Sequence, residues 1–358
     1  MKSTPARFQK VLNKLEGDIR DGVYLEGSVL PSDSELSEQH GVSVATARRA
    51  YSELVQRGWV QRVRKRGTIL CREAAELRLR RVGLIMVADV PAFQILRSGI
   101  ESALAEYSTA IETRWNLDLS SANEEAIRGS IGAGAEGLIV TPPHQSGFET
   151  MRQLVADRFP LVMAFNHDPK IHSVYPDDYR AGYLVGEHFA ACGYRRVAAV
   201  VRENAIGRER LYGFREAVAR HNLALAEDAV IPISYSDHPG KLPQDLGRRE
   251  AENLLGLKDR PEAVFVFNDT HAVAIYHWLQ NHGIAVPGEI AIAGVDALDV
   301  SYHPFSLTSV DIGITNMGVR AGKLLAEQVK NPSRTAVQEK ITPRLRIGAS
   351  TQLRNTGG

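Results

Sequence analysis

The chain has 358 residues, 44% hydrophobic and 24% charged, with a formal net charge of +1. That length exceeds what one core usually supports, so two or three domains are expected; no apolar stretch approaches the roughly 20 residues of a bilayer span, and the start "MKSTPARFQKVLNKLEG" lacks an apolar leader, so the expectation is a cytoplasmic protein, neither inserted nor exported. The near-neutral total hides an asymmetry, with 16 Lys and Arg against 10 Asp and Glu in residues 1–81 and 27 against 32 thereafter, which assigns any polyanionic partner to the amino-terminal end.

The first helix is expected over "RFQKVLNKLEGDIRDGVY", where Val11, Leu12, Leu15 and Ile19 form one apolar face and Gly22 ends it. In "LPSDSELSEQHG", Ser32 and Glu35 have the spacing of a capping box and Gly41 stops the helix. A three-residue turn leads to "SVATARRAYSELVQRG", with Ser43 as cap and Ala47, Tyr51 and Leu54 facing inward. Helix, glycine-containing turn, helix is the helix-turn-helix pattern. "WVQRVRKRGTIL" then supplies two short β runs about Gly67, a hairpin tipped by Arg64, Lys65 and Arg66.

With that stripe inward, Ala45, Arg48, Arg49 and Ser52 fall on the outer side of the third helix. Small residues at a helix start allow close approach to a DNA groove, and arginine donates to phosphate or to guanine edges. Between Ser43 and Arg66 there are seven basic residues against one acid, Glu53. The expected DNA-contacting set is Ser43, Ala45, Thr46, Arg48, Arg49, Arg64, Lys65, Arg66 and Gly67. Residues 19–70 resemble the winged helix of GntR-type regulators in their Gly-x-x-Leu-Pro-Ser element, Gly-Val-Ser turn, recognition-helix Arg and post-wing Gly-Thr. Ser34 and Val44 stand where that family usually places DNA-contacting arginines, so its base preferences do not transfer.

Residues 71–81, "CREAAELRLRR", read as a charged linker. Cys71 and Cys192 lack metal-ligand spacing and are expected to be reduced thiols. From 82 onward apolar β runs at 82–88, 137–141, 161–165, 197–201, 263–267 and 290–295 alternate with helical patterns. Such runs are buried parallel strands, and about 270 residues is too long for one sheet. Two doubly wound parallel-sheet subdomains are expected, with ligands outside the carboxyl ends of the strands. "GAGAEG", Gly132 to Gly137, satisfies the dinucleotide fingerprint G-x-G-x-x-G but runs helix to strand, the reverse of the order phosphate binding needs. It reads as a turn, and no cofactor is expected.

A polar set marks the strand ends: Asn166 and Asp168 after "LVMAF", Asn268 and Asp269 after "AVFVF", Asp296 after "IAIAGV", with Arg208 and Arg210 in "IGRERLYGF". Planar amide, carboxylate and guanidinium groups suit a hydroxyl-rich ligand; helix capping explains Asp269 better, because it opens the next helix. The segments "SVYPDDYRAGYLVGEHFAACGYRRVAAV", "RERLYGF", "AVFVFNDTHAVAIYHWLQNHGIAVPGEIAIAGVDAL" and "FSLTSVDI" resemble the effector domain of LacI/GalR-type repressors, which is periplasmic-binding-protein-like. The resemblance implies effector contacts at Arg210, Asn268 and Asp296 and puts Asn166 where an aspartate is common; Phe93 is a stacking candidate in the less well matched amino-terminal half.

Joined in this order, the chain resembles the arrangement of arabinose-type repressors. It is expected to be multidomain: an amino-terminal winged helix (α+β) over 1–70, a linker over 71–81, and over 82–351 an α/β periplasmic-binding-protein-like domain, the chain crossing between its subdomains near 165 and at 296–312. The expected function is an effector-responsive repressor of carbohydrate-utilisation genes, a homodimer on double-stranded operator DNA with a sugar as effector. The alternatives are a sugar- or nucleoside-processing enzyme on the same fold and a regulator sensing a purine. No metal motif or nucleophile elbow is present to favour the enzyme.

Overall fold

The computed structural model describes residues 4–20, 23–25, 27–56, 58–71, 79–86, 91–107, 109–115, 122–141, 147–233, 247–298, 305–330, 333 and 335–352. Gly22 and most of the expected linker, residues 72–78, lie outside them.

The amino-terminal unit packs α1 (Thr4–Arg20), α2 (Asp33–His40) and α3 (Val44–Gln56) beside a hairpin, β1 (Val60–Val63) and β2 (Gly67–Leu70). Val11, Leu12, Leu15 and Ile19 meet Leu36, Ala47, Tyr51 and Leu54 in one buried cluster. Both halves of the Ser32–Glu35 capping box form, and Gly41 at φ 59° takes the left-handed turn that ends α2. The pairing Val63↔Gly67 leaves Arg64, Lys65 and Arg66 as a three-residue tip. Ser28 and Leu30 bond the outer edge of β2, forming an isolated bridge at Val29 and Ile69 beside the two-stranded wing.

Among the described residues the carboxy-terminal domain holds two six-stranded sheets. In the first, β3 (Arg81–Met86), β4 (Ala110–Trp115), β5 (Gly137–Val140), β6 (Leu161–Ala164), β7 (His172–Pro176) and β13 (Gln338–Ile341) run in the order β13-β7-β6-β5-β3-β4, all parallel. In the second, β8 (Val197–Arg202), β9 (Val230–Ile233), β10 (Ala263–Val266), β11 (Ala291–Val295), β12 (Thr308–Asp311) and β14 (Arg344–Arg346) run β14-β12-β11-β10-β8-β9, with only β14 antiparallel. The helices are α4 (Pro91–Leu104), α5 (Ala122–Gly132), α6 (Gly147–Ala156), α7 (Asp178–Ala191), α8 (Ala205–Arg220), α9 (Arg248–Gly256), α10 (Asp269–Asn281) and α11 (Ile314–Lys330). Gly132 to Gly137 is the α5–β5 turn, with Gly134 at φ 90°.

The domain begins earlier than expected, since Leu79 is buried in its core. The first crossing also moves: β7 joins the first sheet, so the chain passes over between Pro176 and Asp178, not near 165. The second falls between Asp311 and Ile314, because α11 packs on β5, β6 and α4 of the first subdomain. A third, unforeseen, separates β13 from β14. Each crossing leaves a strand at the carboxyl end of its sheet and enters the other subdomain at the same end, so the two carboxyl edges must face one another. The three segments are stitched together: Asp177 N–H donates to Ile341 O at 2.9 Å, Lys340 pairs with Asp177 at 3.8 Å, and Arg346 pairs with Asp311.

Glycines let the helices of each subdomain touch. A Cβ on Gly182 would fall inside the Arg210 carbonyl, and one on Gly213 inside that of Tyr179, so α7 and α8 meet backbone to backbone.

Candidate nucleic-acid interface and ligand cleft

Ser43 caps α3, accepting from Thr46 N–H at 3.2 Å while its hydroxyl meets the Thr46 hydroxyl at 2.8 Å. Ala45, Arg48, Arg49 and the whole tip from Arg64 to Gly67 are exposed, as expected. The two helix arginines differ in their surroundings. Arg49 lies 4.6 Å over the ring of Phe8 in α1, so cation–π contact holds it against the first helix. Arg48 donates Nε to Asp33 Oδ2 at 3.1 Å, and Arg62 of the wing grips the same carboxylate with two bonds of 2.7 and 3.2 Å. Burial would raise the Asp33 pKa, but its bonds to Arg62 and Arg48 outweigh that and hold it below the ordinary value. Tyr51, buried beneath, donates its hydroxyl to Pro31 O at 2.6 Å. Asp33 was not singled out from sequence; the signal is an acid one residue after a helix cap, a position usually explained by the helix dipole alone.

In the second subdomain Arg210 is buried, donating Nε to Asp178 Oδ1 at 2.7 Å and Nη1 to Phe267 O at 2.5 Å. Burial pushes the Asp178 carboxyl up despite Arg210. Asp178 is also absent from the sequence reading, although "DD" at a helix start is legible: Asp177 caps α7, accepting from Arg180 N–H at 3.0 Å, and Asp178 follows it inward. Asp269 opens α10, as expected of a structural residue: its two oxygens accept from Ser309 Oγ at 2.6 Å and Leu298 N–H at 2.9 Å. Asn268 caps α10 through Oδ1, which accepts from His271 N–H at 3.0 Å, while its amide nitrogen makes no hydrogen bond among the described residues.

Asp296 ends β11 at φ 114°, a conformation that Asn and Asp tolerate better than most residues. Its N–H donates to Val310 O at 2.9 Å, yet its carboxylate makes no hydrogen bond among the described residues. Partly open at the sheet edge, it is otherwise hemmed in by protein. Burial pushes its pKa up, Arg210 opposes, and the neighbouring Asp269 and Asp178 carboxylates add to the rise. A ligand hydroxyl would give this group the donor it lacks. Across the cleft, Phe165 ends β6 at φ 69° and meets Phe93 edge-on with ring centroids 5.4 Å apart, so Phe93 stands beside the stretch that carries Asn166. Asn166 is half-buried and accepts from His167 N–H at 2.8 Å.

Two expected effector residues are not brought into this set. Asp168 closes a turn: Oδ2 takes Arg152 at 2.6 Å and Oδ1 takes Lys170 N–H at 2.9 Å, so the carboxylate is already consumed. Arg208 is two residues from Arg210 on α8 and therefore points away from it; it is exposed and lines a separate hollow with Arg202, Glu203, Leu211, Val230 and Pro232. No cluster of His, Cys, Asp or Glu fit for a metal occurs among the described residues.

Residues 8–70 match the domain of bacterial regulatory proteins of the gntR family, and residues 187–351 match the periplasmic-binding-protein-like domain. The chain thus joins a gntR-family head to a periplasmic-binding-protein-like sensor, the architecture of an effector-responsive, DNA-binding transcription regulator. It is 24% identical over 339 residues to the arabinose metabolism transcriptional repressor of Geobacillus stearothermophilus, covering 90% of this chain and 91% of that one. It is 31% identical over 153 residues to the transcriptional repressor PurR of Vibrio campbellii, covering 42% and 44%. Among solved structures, it resembles a LacI family regulator from Enterococcus faecium with bound ribose, at TM-score 0.65 and 24% identity over 77% of this chain and 100% of that one. It also resembles the regulator CelR bound to cellobiose, at TM-score 0.66 and 19% identity over 90% and 100%. No described helix is long and apolar enough to cross a membrane.

Proposed function

We propose that this protein is a cytoplasmic repressor of carbohydrate-utilisation genes, without enzymatic activity of its own, acting as a homodimer on a two-fold related operator and responding to a neutral sugar in the cleft. The observation that carries this reading is the floor of the second sheet, where Arg210 is surrounded by the carboxylates of Asp178, Asp269 and Asp296. Arg210 is already bonded to Asp178 and to Phe267 O, which leaves little positive charge to hold an anionic ligand, whereas the Asp296 carboxyl and the Asn268 amide exchange hydrogen bonds with hydroxyls. The names of the relatives, with arabinose, ribose and cellobiose among them, support the same class.

A thermal-shift panel of L-arabinose, D-ribose, cellobiose, ribose 5-phosphate and hypoxanthine tests the reading. A ligand at 100 times its Kd adds about 2.7 kcal/mol, so a neutral sugar is expected to raise Tm by several degrees. That sugar should then change operator affinity roughly 5- to 150-fold and be recovered unchanged. A response confined to the phosphosugar or the purine, or turnover of the sugar, overturns the proposal.

A further inference from the structure

The contacts of Arg48 contain more than a surface ion pair. The basic residues of α3 are Arg48 and Arg49. Arg49 is stacked on Phe8, and the two neighbouring exposed positions, Ser34 and Val44, are uncharged. Sequence discrimination by α2 and α3 through a guanidinium therefore rests on Arg48. Its side chain is 65% exposed while that of Asp33 is 15% exposed, so the acid is the fixed partner and the arginine the presented one. A guanidinium has two edges that can donate in pairs, Nε with one terminal nitrogen, or the two terminal nitrogens together. Asp33 takes Nε, and the terminal nitrogens make no hydrogen bond among the described residues. The remaining edge is the one that fits O6 and N7 of guanine end-on. Arg62, held by two bonds to the same carboxylate and 5.8 Å over the Tyr51 ring, is kept from phosphate.

We propose that Asp33 is the specificity-determining residue of the head: it orients Arg48 end-on toward a guanine and withholds Arg62 from the DNA backbone. This rests on the reading of the head as a DNA-binding unit. Asp33 lowers non-specific affinity, through its own charge and through Arg62, and raises discrimination. A purely structural acid would alter both affinities together.

The test uses the full chain to select from duplexes with a randomised core, followed by titration of the best-recovered duplex and of an unrelated one at several salt concentrations. Asp33→Asn is expected to bind the unrelated duplex at least as tightly as wild type, with a salt slope steeper by about one as Arg62 reaches phosphate. Preference for the recovered duplex should fall roughly tenfold or more, and the guanine that Arg48→Ala also loses should vanish from the motif. The double variant should be no less selective than Arg48→Ala alone. If Asp33→Asn fails to melt as wild type does, Asp33→Glu keeps the charge at the helix start while displacing the carboxylate, and its loss of preference carries the test. A motif unchanged in the folded variant, or equal loss on both duplexes, overturns the proposal and leaves the DNA-binding reading standing. A wild-type chain that recovers no motif and binds no duplex overturns that reading instead.

Discussion

Asp296→Asn separates sensing from stability, because the same carboxylate serves one and harms the other. Asp296 has no donor among the described residues, and burial pushes its pKa up to about 8 from the ordinary carboxylate value. A carboxyl whose folded pKa lies above its unfolded one holds a proton in the native state that the unfolded chain has released. Its penalty is absent below about pH 4 and grows as pH rises toward 8, by up to about 1.4 kcal/mol per unit. Water at the open side of the cleft and the Arg210 charge reduce this, so a net penalty of about 2 kcal/mol at pH 7.5 is expected. Asparagine keeps the shape and tolerates the positive φ but carries no charge. The variant should gain about 2 kcal/mol in urea unfolding at pH 7.5 and close to nothing at pH 4.5. Titration calorimetry with the sugar that stabilises wild type should show affinity lower by one to two decades, the worth of a charged hydrogen bond. Operator affinity without sugar should stay at the wild-type value. A variant destabilised at both pH values, with sugar affinity intact, would make Asp296 a turn residue and refute the argument.

Arg210→Met leaves Asp178 buried without its partner and should cost about 3–5 kcal/mol in urea unfolding. Gly182→Ala drives a methyl into the Arg210 carbonyl; separation of α7 from α8 should cost about 1–3 kcal/mol or more and weaken sugar binding, and a wild-type melting curve would contradict the close packing. Neutralising Arg64 and Lys65 together should lower the salt slope of operator binding by about two, with the selected motif unchanged. Tyr51→Phe loses the bond to Pro31 O and should destabilise the head by about 1 kcal/mol, read in thermal melts.

The head was almost wholly legible in the sequence because its signals are local. A cap and its Glu lie three residues apart, the inward stripe follows helical spacing, and the wing turns about one glycine. The core strands of the sensor were legible for a different reason: buried parallel strands are continuous apolar runs. Edge strands lack that signature. β13 and β14 are "QEKI" and "RLR", exposed at alternate positions, and β7, one place in from the edge, is the short "HSVYP", buried but with His172 and Ser173 breaking the apolar run, which is why neither the first crossing nor the third can be placed from an apolar pattern. The cleft residues divided in the same way. Arg210, Asn268 and Asp296 sit at ends of strands or early in helices, where the sequence marks them as candidates, whereas Asp178 and Asp33 matter through partners 32 and 15 positions away, respectively. Asp168 resembled them in type and placement and was excluded only by Arg152, 16 residues earlier.

The threefold passage between subdomains also sets the order in which the protein can come into being. The first sheet closes with β13 and is covered by α11, and the second is completed by β12 and β14, so the first subdomain is not whole until the ribosome has passed residue 341, nor the second until residue 346. The buried cluster of the head is drawn entirely from residues before 71. A nascent chain therefore exposes a finished DNA-binding unit, at about 5–20 residues per second, for roughly 15 to 60 seconds before the domain that governs it exists. Chains cut short anywhere in that interval would carry a head with no means of regulation.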